Sequence, residues 1–381
     1  MKSFNITLLF TIILVLTGCN KQKPVGQDES ALHKQADSLY TVHYAKGFQV
    51  KKYNDYTLVT VRDPWDTTRL LHTYVLVDRA KELPANLPKG VVVKIPLQNV
   101  ATYSTIHCSS LNELGQIDII KGVCEPQYIK LGVIQQRVKN GEIENLGMAS
   151  KPDVEKIIML NPDAIFATPI QGWTYGNVEK TNIPILETVD YTESHPLGRA
   201  EWIRFYSLFT GKEHYADSLF AITEKNYKEV KDIVANVTKR PSVLPDIPYQ
   251  GKWNMPGGRS FMSNMLSDAG AIYPWNEDKS TSYMPLNFEI VFDKAGEADI
   301  WIIKYNTPSD MTYTSLEKEY KPYSYFKAFK SKNIYGCNTA YSSYYEDLPI
   351  HPDYILKDMA YVFHPDLFPD YKPKYYKRIS E

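Results

Sequence analysis

The sequence predicts an α/β protein of two lobes joined by one long α-helix, with an extra N-terminal β-hairpin region. Three observations carry that prediction. Strands alternate with short helices from about residue 100 onward, the grammar of βαβ units on parallel sheets. A long helical period follows Gly211 near the middle of the chain. A helix–strand phrase in the first half returns in the second. The length of 381 residues also exceeds what one hydrophobic core usually supports.

The amino terminus comes first. Lys2 is a positive n-region, Ile6 to Leu16 is apolar apart from Thr7 and Thr11, and Leu16-Thr17-Gly18-Cys19 follows. The run is too short to span a bilayer as a helix and ends in small residues, so residues 1–19 read as an export signal. The Leu-Thr-Gly-Cys sequence resembles the bacterial lipobox. That resemblance implies acylation of Cys19, whose chains would hold the protein to a membrane by burying methylenes at ~0.8 kcal/mol each. Residues 20–40 are rich in Lys, Gln, Asp, Ser and Pro and are expected to form a flexible tether. No later stretch is long and apolar enough for a transmembrane helix.

A net charge of −1 gives no whole-chain field for nucleic acid, and none is expected as a partner. Beyond Cys19 only Cys108, Cys124 and Cys337 remain, too few for a disulfide scaffold. Cys108 and Cys124 are candidates for a bridge in an oxidising compartment. Tyrosine is abundant, and such rings serve either core or binding surface.

Alternating apolar residues from Phe48 to Val77 predict a β-hairpin or small meander, and Val91 to Ile95 a short strand. The α/β grammar then begins. Val100–His107 reads as a strand ending in a loop, Ser109–Leu114 as a helix, Ile117–Val123 as a strand and Val154–Leu160 as a helix. Ala164–Ala167 and Ile183–Val189 complete the first lobe, 41–196, around a helical piece at Val178–Thr181. Linking helices occupy 197–239. Tyr215, Leu219, Ile222, Val230, Ile233 and Val237 recur at helical spacing, widened by Tyr227 and Val234, predicting some 25 residues and ~38 Å of rod. Arg240-Pro241 ends it. The second lobe, 240–381, carries a strand near Val243 and a loop through Trp253 and Gly258. A helix over Phe261–Ala269, a helix over Phe288–Lys294, a strand over Ile300–Ile303 and a helix over Pro352–Phe363 follow.

Two segments read alike. Ser150-Lys151-Pro152-Asp153 opens a helix with cap and proline signals, Glu155 sits early, and Asn161-Pro162-Asp163 leads into the buried strand Ala164–Ala167. Asn287 caps the second, Glu289 sits early, and Gly296-Glu297-Ala298-Asp299 leads into Ile300–Ile303. Signal, tether, lobe, long helix and second lobe together resemble the binding proteins of ABC importers for siderophores, haem or cobalamin. Val154 to Asp163 looks like that class's helix–strand motif, Glu201-Trp202-Ile203 to Gly211-Lys212 its approach to the linking helix, and His351-Pro352-Asp353 to Phe368 its C-terminal helix. The likeness covers roughly 100–368; the 48–77 region is outside it.

The resemblance implies two Rossmann-like lobes facing a shallow cleft, braced by the rod. Ligands in open α/β sheets bind beyond the carboxyl ends of the strands, which nominates the loops at 103–108, 172–175, 249–259 and 305–306. They hold Tyr103, His107, Trp173, Tyr175, Trp253, Arg259 and Tyr305, with Arg199 and Trp275 nearby. Aromatic walls suit haem, corrins and catecholate complexes, and arginine suits their carboxylates. By motif position, Glu155 and Glu289 are expected to dock an ABC importer permease dimer, since paired charges set register. An iron complex is favoured over a corrinoid on its frequency in the class; a monomer on the periplasmic side of a bacterial membrane is expected.

Other classes fit less well. Gly-x-Ser-x-Gly, Walker, His-Glu-x-x-His and Gly-x-Gly-x-x-Gly motifs are absent, so no enzyme is expected. The eight histidines are scattered, which argues against a bare-metal site. His107 and His195 alone sit near predicted strand ends. No cofactor is expected.

Overall fold

The computed structural model describes residues 37–381; the expected signal, Cys19 and the expected tether up to residue 36 lie outside the described residues, whereas residues 38–40, expected to belong to that tether, form a strand because they pair with the one that follows. Strands β1 (Ser38–Tyr40), β2 (Phe48–Lys52), β3 (Thr57–Arg62), β4 (Leu70–Asp78) and β5 (Val91–Ile95) form one five-stranded sheet in chain order. The 48–77 region is thus the small antiparallel meander β2-β3-β4, which β1 and β5 extend into a larger sheet. Its first three pairings are antiparallel, and β5 joins β4 in parallel. Alternation puts Phe48, Val50, Val59, Val61, Tyr74 and Leu76 into the main core.

The first parallel sheet has the order β12-β11-β6-β7-β8. Its strands and helices are β6 (Val100–Thr102), α1 (Thr105–Glu113), β7 (Ile120–Val123), α2 (Gly132–Lys139) and β8 (Glu144–Asn145). A small pair, β9 (Gly147–Met148) and β10 (Lys151–Pro152), precedes α3 (Val154–Leu160), β11 (Ala164–Ala167) and β12 (Ile185–Glu187). Asp153 caps α3, its carboxylate accepting the Lys156 N–H at 3.1 Å. The strand expected to run to His107 stops at Thr102, because extended Ser104 opens α1. Helix α2 left little trace in the sequence: Ile134 is its only buried residue.

Three helices link the lobes: α4 (Pro196–Glu201), α5 (Ile203–Thr210) and α6 (Glu213–Ala235). Gly211 ends α5 at φ 68°, a left-handed conformation that glycine adopts without strain. Helix α6 has 23 residues, about 35 Å of rod, and ends five residues before the expected Arg240-Pro241 stop. Its buried face is Ala216, Phe220, Thr223, Tyr227, Val230 and Val234, whereas Tyr215, Ile222 and Ile233 are exposed. The expected Tyr227, Val230 and Val234 are buried, whereas in the first half Ala216, Phe220 and Thr223 take the buried places expected for Tyr215, Leu219 and Ile222, each one residue earlier. Small residues let the rod approach its neighbours, and Phe220 and Tyr227 fill the interface. Near its start Asp217 meets the Tyr40 hydroxyl at 2.7 Å and the Arg204 Nε at 2.9 Å. Further along, Asn226 reaches Asp353 at 3.1 Å and the Tyr227 hydroxyl donates to Asp268 at 2.8 Å. The rod is thus bonded to both halves of the chain.

The second sheet runs β13-β16-β17-β18. Its elements are β13 (Val243–Pro245), β14 (Trp253–Pro256), α7 (Phe261–Asp268), β15 (Tyr283–Leu286), α8 (Phe288–Ala295), β16 (Ile300–Tyr305) and α9 (Tyr313–Glu319). Then come α10 (Lys327–Lys330), β17 (Ile334–Asn338), α11 (Tyr344–Asp347), α12 (Pro352–Phe363) and β18 (Lys377–Arg378). The first three sheet strands are parallel and β18 is an antiparallel edge. Trp253 stands in β14, which pairs with β15, and not in a loop. The Tyr-rich tail is pinned by Asp358, which accepts the Tyr371 hydroxyl at 2.5 Å and the Tyr375 and Tyr376 N–H groups at 2.6 and 2.9 Å.

Cys108, Cys124 and Cys337 are buried free thiols, so the candidate bridge does not form. Burial pushes both Cys108 and Cys124 up to about 12, which keeps them protonated and inert. Among the described residues, no helix is long and apolar enough to cross a membrane.

Candidate functional site

The carboxyl ends of β13 and β16 open into a cleft of ≈ 1220 Å³. This exceeds the ~300–1,000 Å³ usual for drug-sized ligands. Lys304, Tyr249 and Tyr283 line it from the second lobe. Tyr191 and Arg199 line it from the segment entering and forming α4. Lys304, next to last in β16, is ion-paired with Asp246 at the end of β13. Burial works against its charge, but Asp246 and the neighbouring tyrosines outweigh that and hold the ammonium above its ordinary range. Arg199 Nε lies 3.0 Å from Asp190, and its guanidinium stands 5.5 Å over the Phe261 ring. Burial raises the Tyr283 phenol while Lys304 and Arg199 pull the other way, so both cations act on one hydroxyl. The result is an aromatic cleft holding two cations, each paired with an aspartate, with Glu193 and Glu319 also on its wall.

A smaller hollow of ≈ 350 Å³ lies at the carboxyl ends of β6, β11 and β12. Tyr103, Trp173 and Tyr175 line it together with Ser104, Thr168 and Glu187. The Tyr175 hydroxyl donates to Glu187 at 2.5 Å, and Glu187 also meets His72 of β4. Tyr103 packs edge-on to Tyr175 at 6.0 Å. The Tyr103 hydroxyl and Ser104 Oγ are buried without a protein partner, a costly state for polar groups. Trp173 is 59% exposed.

The nominated residues therefore divide. Tyr103, Trp173 and Tyr175 share the smaller hollow; Arg199 and Tyr305 line the larger cleft. Four do not join them. His107 is wholly buried in α1, its Nδ1 2.9 Å from the Tyr206 hydroxyl, and burial pushes its pKa down to about 3. Trp253 is a core residue at 0% exposure, donating to the Pro245 carbonyl at 3.0 Å and packed on Trp301. The glycine-rich surroundings that suggested a loop serve tight packing: a Cβ on Gly258 would lie 2.4 Å from the Trp275 carbonyl oxygen. Trp275 is buried against Tyr273 with Lys294 over its ring. Arg259 is exposed and lines neither hollow. His195 serves as the N-cap of α4, accepting the Leu197 N–H at 3.1 Å.

Lys304 and Tyr283 were not nominated. A lone lysine in Ile300-Trp301-Ile302-Ile303-Lys304-Tyr305 is a legible signal, because a charge in a buried strand needs a reason. Tyr283 sits in a polar Ser-Thr-Ser run with no such mark. On the outside, Glu155 and Glu289 are both exposed, each at the second position of its helix, α3 and α8. Each of those helices feeds a buried parallel strand, β11 and β16. Their placements correspond.

Two parallel α/β sheets, each with a hollow at its carboxyl edge, and a long helix bonded to both halves give the two-lobed architecture of solute-binding proteins. The chain belongs to the periplasmic binding protein family, whose profile matches residues 100–341. An uncharacterised lipoprotein of Methanocaldococcus jannaschii is 27% identical over 76% of this chain and 70% of its own length. Two solved structures share the fold. A TroA-like periplasmic binding protein, FepB, from Veillonella parvula is 17% identical, with TM-score 0.57 over 77% of this chain and 97% of its own. A periplasmic haem-binding protein from Pseudomonas aeruginosa is 15% identical, with TM-score 0.56 over 75% and 99%.

Proposed function

We propose that this protein captures a large anionic iron complex, a ferric siderophore or haem, and delivers it to an ABC importer permease from the periplasmic side of a membrane. The carrying observation is the ≈ 1220 Å³ cleft whose tyrosine-rich wall holds Lys304 and Arg199. Aromatic faces take flat or catecholate ligands, and an anionic group on the ligand would share Lys304 and Arg199 with their partners Asp246 and Asp190, contacts that a corrinoid without such groups would not make. Acylated Cys19 is the anchor, in keeping with a relative named as a lipoprotein. Glu155 and Glu289 are the docking pair, exposed at corresponding places on the two lobes.

Titration of intrinsic tryptophan fluorescence with haemin, a ferric tris-catecholate and cyanocobalamin tests the ligand class. Quenching by an iron complex, with a Soret band if the ligand is haem, is the expected result. Binding of cyanocobalamin alone would replace the iron reading, and binding of none would remove it.

A further inference from the structure

Part of the cleft wall comes from outside the family-matched stretch: Tyr344, Tyr345 and Leu348 follow it in the chain, and a second portion precedes it. Pro64 and Trp65 stand on the turn joining β3 to β4, outside residues 100–341, yet they line the same cavity as Lys304, Arg199 and Tyr283. The turn is tightly held. Asp63, buried at 4% exposure, accepts the Trp65 N–H at 2.9 Å, the Asp66 N–H at 3.1 Å and the Arg69 guanidinium at 2.6 Å. The Asp63 N–H donates to the Arg69 carbonyl at 3.2 Å and the Arg69 N–H to the Asp66 carbonyl at 3.0 Å, closing the loop. Behind it the sheet is packed down, with Phe48 4.8 Å from Trp202 and Tyr74 edge-on to Phe209. Against that buried background Trp65 keeps 38% exposure. A large ring left open on a rigid turn, beside a cavity bearing two cations, offers a stacking face at little entropic cost.

We propose that the β1–β5 sheet is part of the binding machinery, with Trp65 a fixed stacking wall for the flat face of a ligand whose anionic groups meet Lys304 and Arg199. The chemistry of the ligand rests on the reading above; the wall itself rests on the Asp63 turn and the shared cavity.

Two measurements on the full chain test this. In the first, Trp65→Cys with Tyr249→Cys, in a chain also carrying Cys19→Ser, is treated with a short bis-maleimide, the native thiols at 108, 124 and 337 being buried. An intramolecular link found by mass spectrometry is expected; no link overturns the proposal whatever the ligand. In the second, Trp65→Ala and Trp65→Phe are titrated with haemin, a ferric tris-catecholate and cyanocobalamin. Trp65→Ala is expected to weaken the tightest probe about tenfold or more at unchanged Tm, and Trp65→Phe to retain most affinity. Equal affinity for Trp65→Ala overturns the proposal while leaving the ligand class standing. If no probe binds the wild type, the ligand class falls, and the cross-link alone decides the wall.

Discussion

Glu201, wholly buried in α4, accepts the backbone N–H of Tyr44 at 2.7 Å. The same carboxylate takes the His43 and Ala45 N–H groups at 2.9 Å each and Arg204 at 2.8 Å. One side chain thus fastens the segment before β2 to the helices that join the lobes. Glu193 repeats the device, accepting the Lys46 and Gly47 N–H groups at 2.8 Å. A Cβ on Gly47 would lie 2.6 Å from the Trp202 ring, so the segment must approach closely there.

Glu201→Ala strands three N–H donors and the Arg204 guanidinium in the interior. A loss of about 3–5 kcal/mol is expected, read as a lowered Tm and denaturant midpoint. A change below ~1 kcal/mol would mean that the clamp is decorative.

Lys304→Met removes one cleft cation. Affinity for an anionic ferric complex should fall about tenfold or more, ~1.4 kcal/mol, with Lys304→Arg retaining most of it. Fluorescence titration with a neutral and an anionic probe separates charge recognition from general damage; equal losses for both would point to damage.

His107 ties stability to pH. Its folded pKa is about 3 against an unfolded value near 6.5, so the unfolded chain binds the extra proton. Its contribution is fully present above about pH 6.5 and is lost as pH falls toward 3, at about 1.4 kcal/mol per unit. Unfolding free energy measured from pH 7 to 4 should show a shallower slope in His107→Gln by one proton's worth. An unchanged slope would place the titration elsewhere.

Glu155→Gln combined with Glu289→Gln should abolish uptake in cells while ligand affinity in solution stays at the wild-type value. Uptake at the wild-type rate would remove the docking role and leave each carboxylate as a helix N-terminal charge worth ~0.3–1 kcal/mol.

Trp253→Ala distinguishes core from cleft. A loss of about 3–5 kcal/mol is expected with unchanged affinity in the fraction that folds, since the ring has no open face. Weakened binding at full stability would return Trp253 to the cleft.

Elements whose signal is local were legible. The cap and apolar face of α3, the all-apolar β11 and the proline start of α12 follow from neighbouring residues, and each appeared within a residue or so of its expected span. The stretch between β16 and α12 was not legible, because α10 and α11 have four residues each and the tail is held by a distant carboxylate, Asp358. Residues lining the hollows fared likewise: Tyr103, Trp173 and Tyr175 were reachable through the rule on strand ends, whereas Trp65 lay in a region with no matching pattern.

By itself the sequence determined the alternation of strands and helices, the long rod after Gly211 and the family, since hydrophobic period and capping act over a few neighbouring residues. Only the tertiary structure decided which rings are core and which are wall. Trp253 and Trp173 both stand near glycines, yet one is sealed on Trp301 and the other is open. Burial depends on what the rest of the chain stacks over a residue, and no local pattern encodes that.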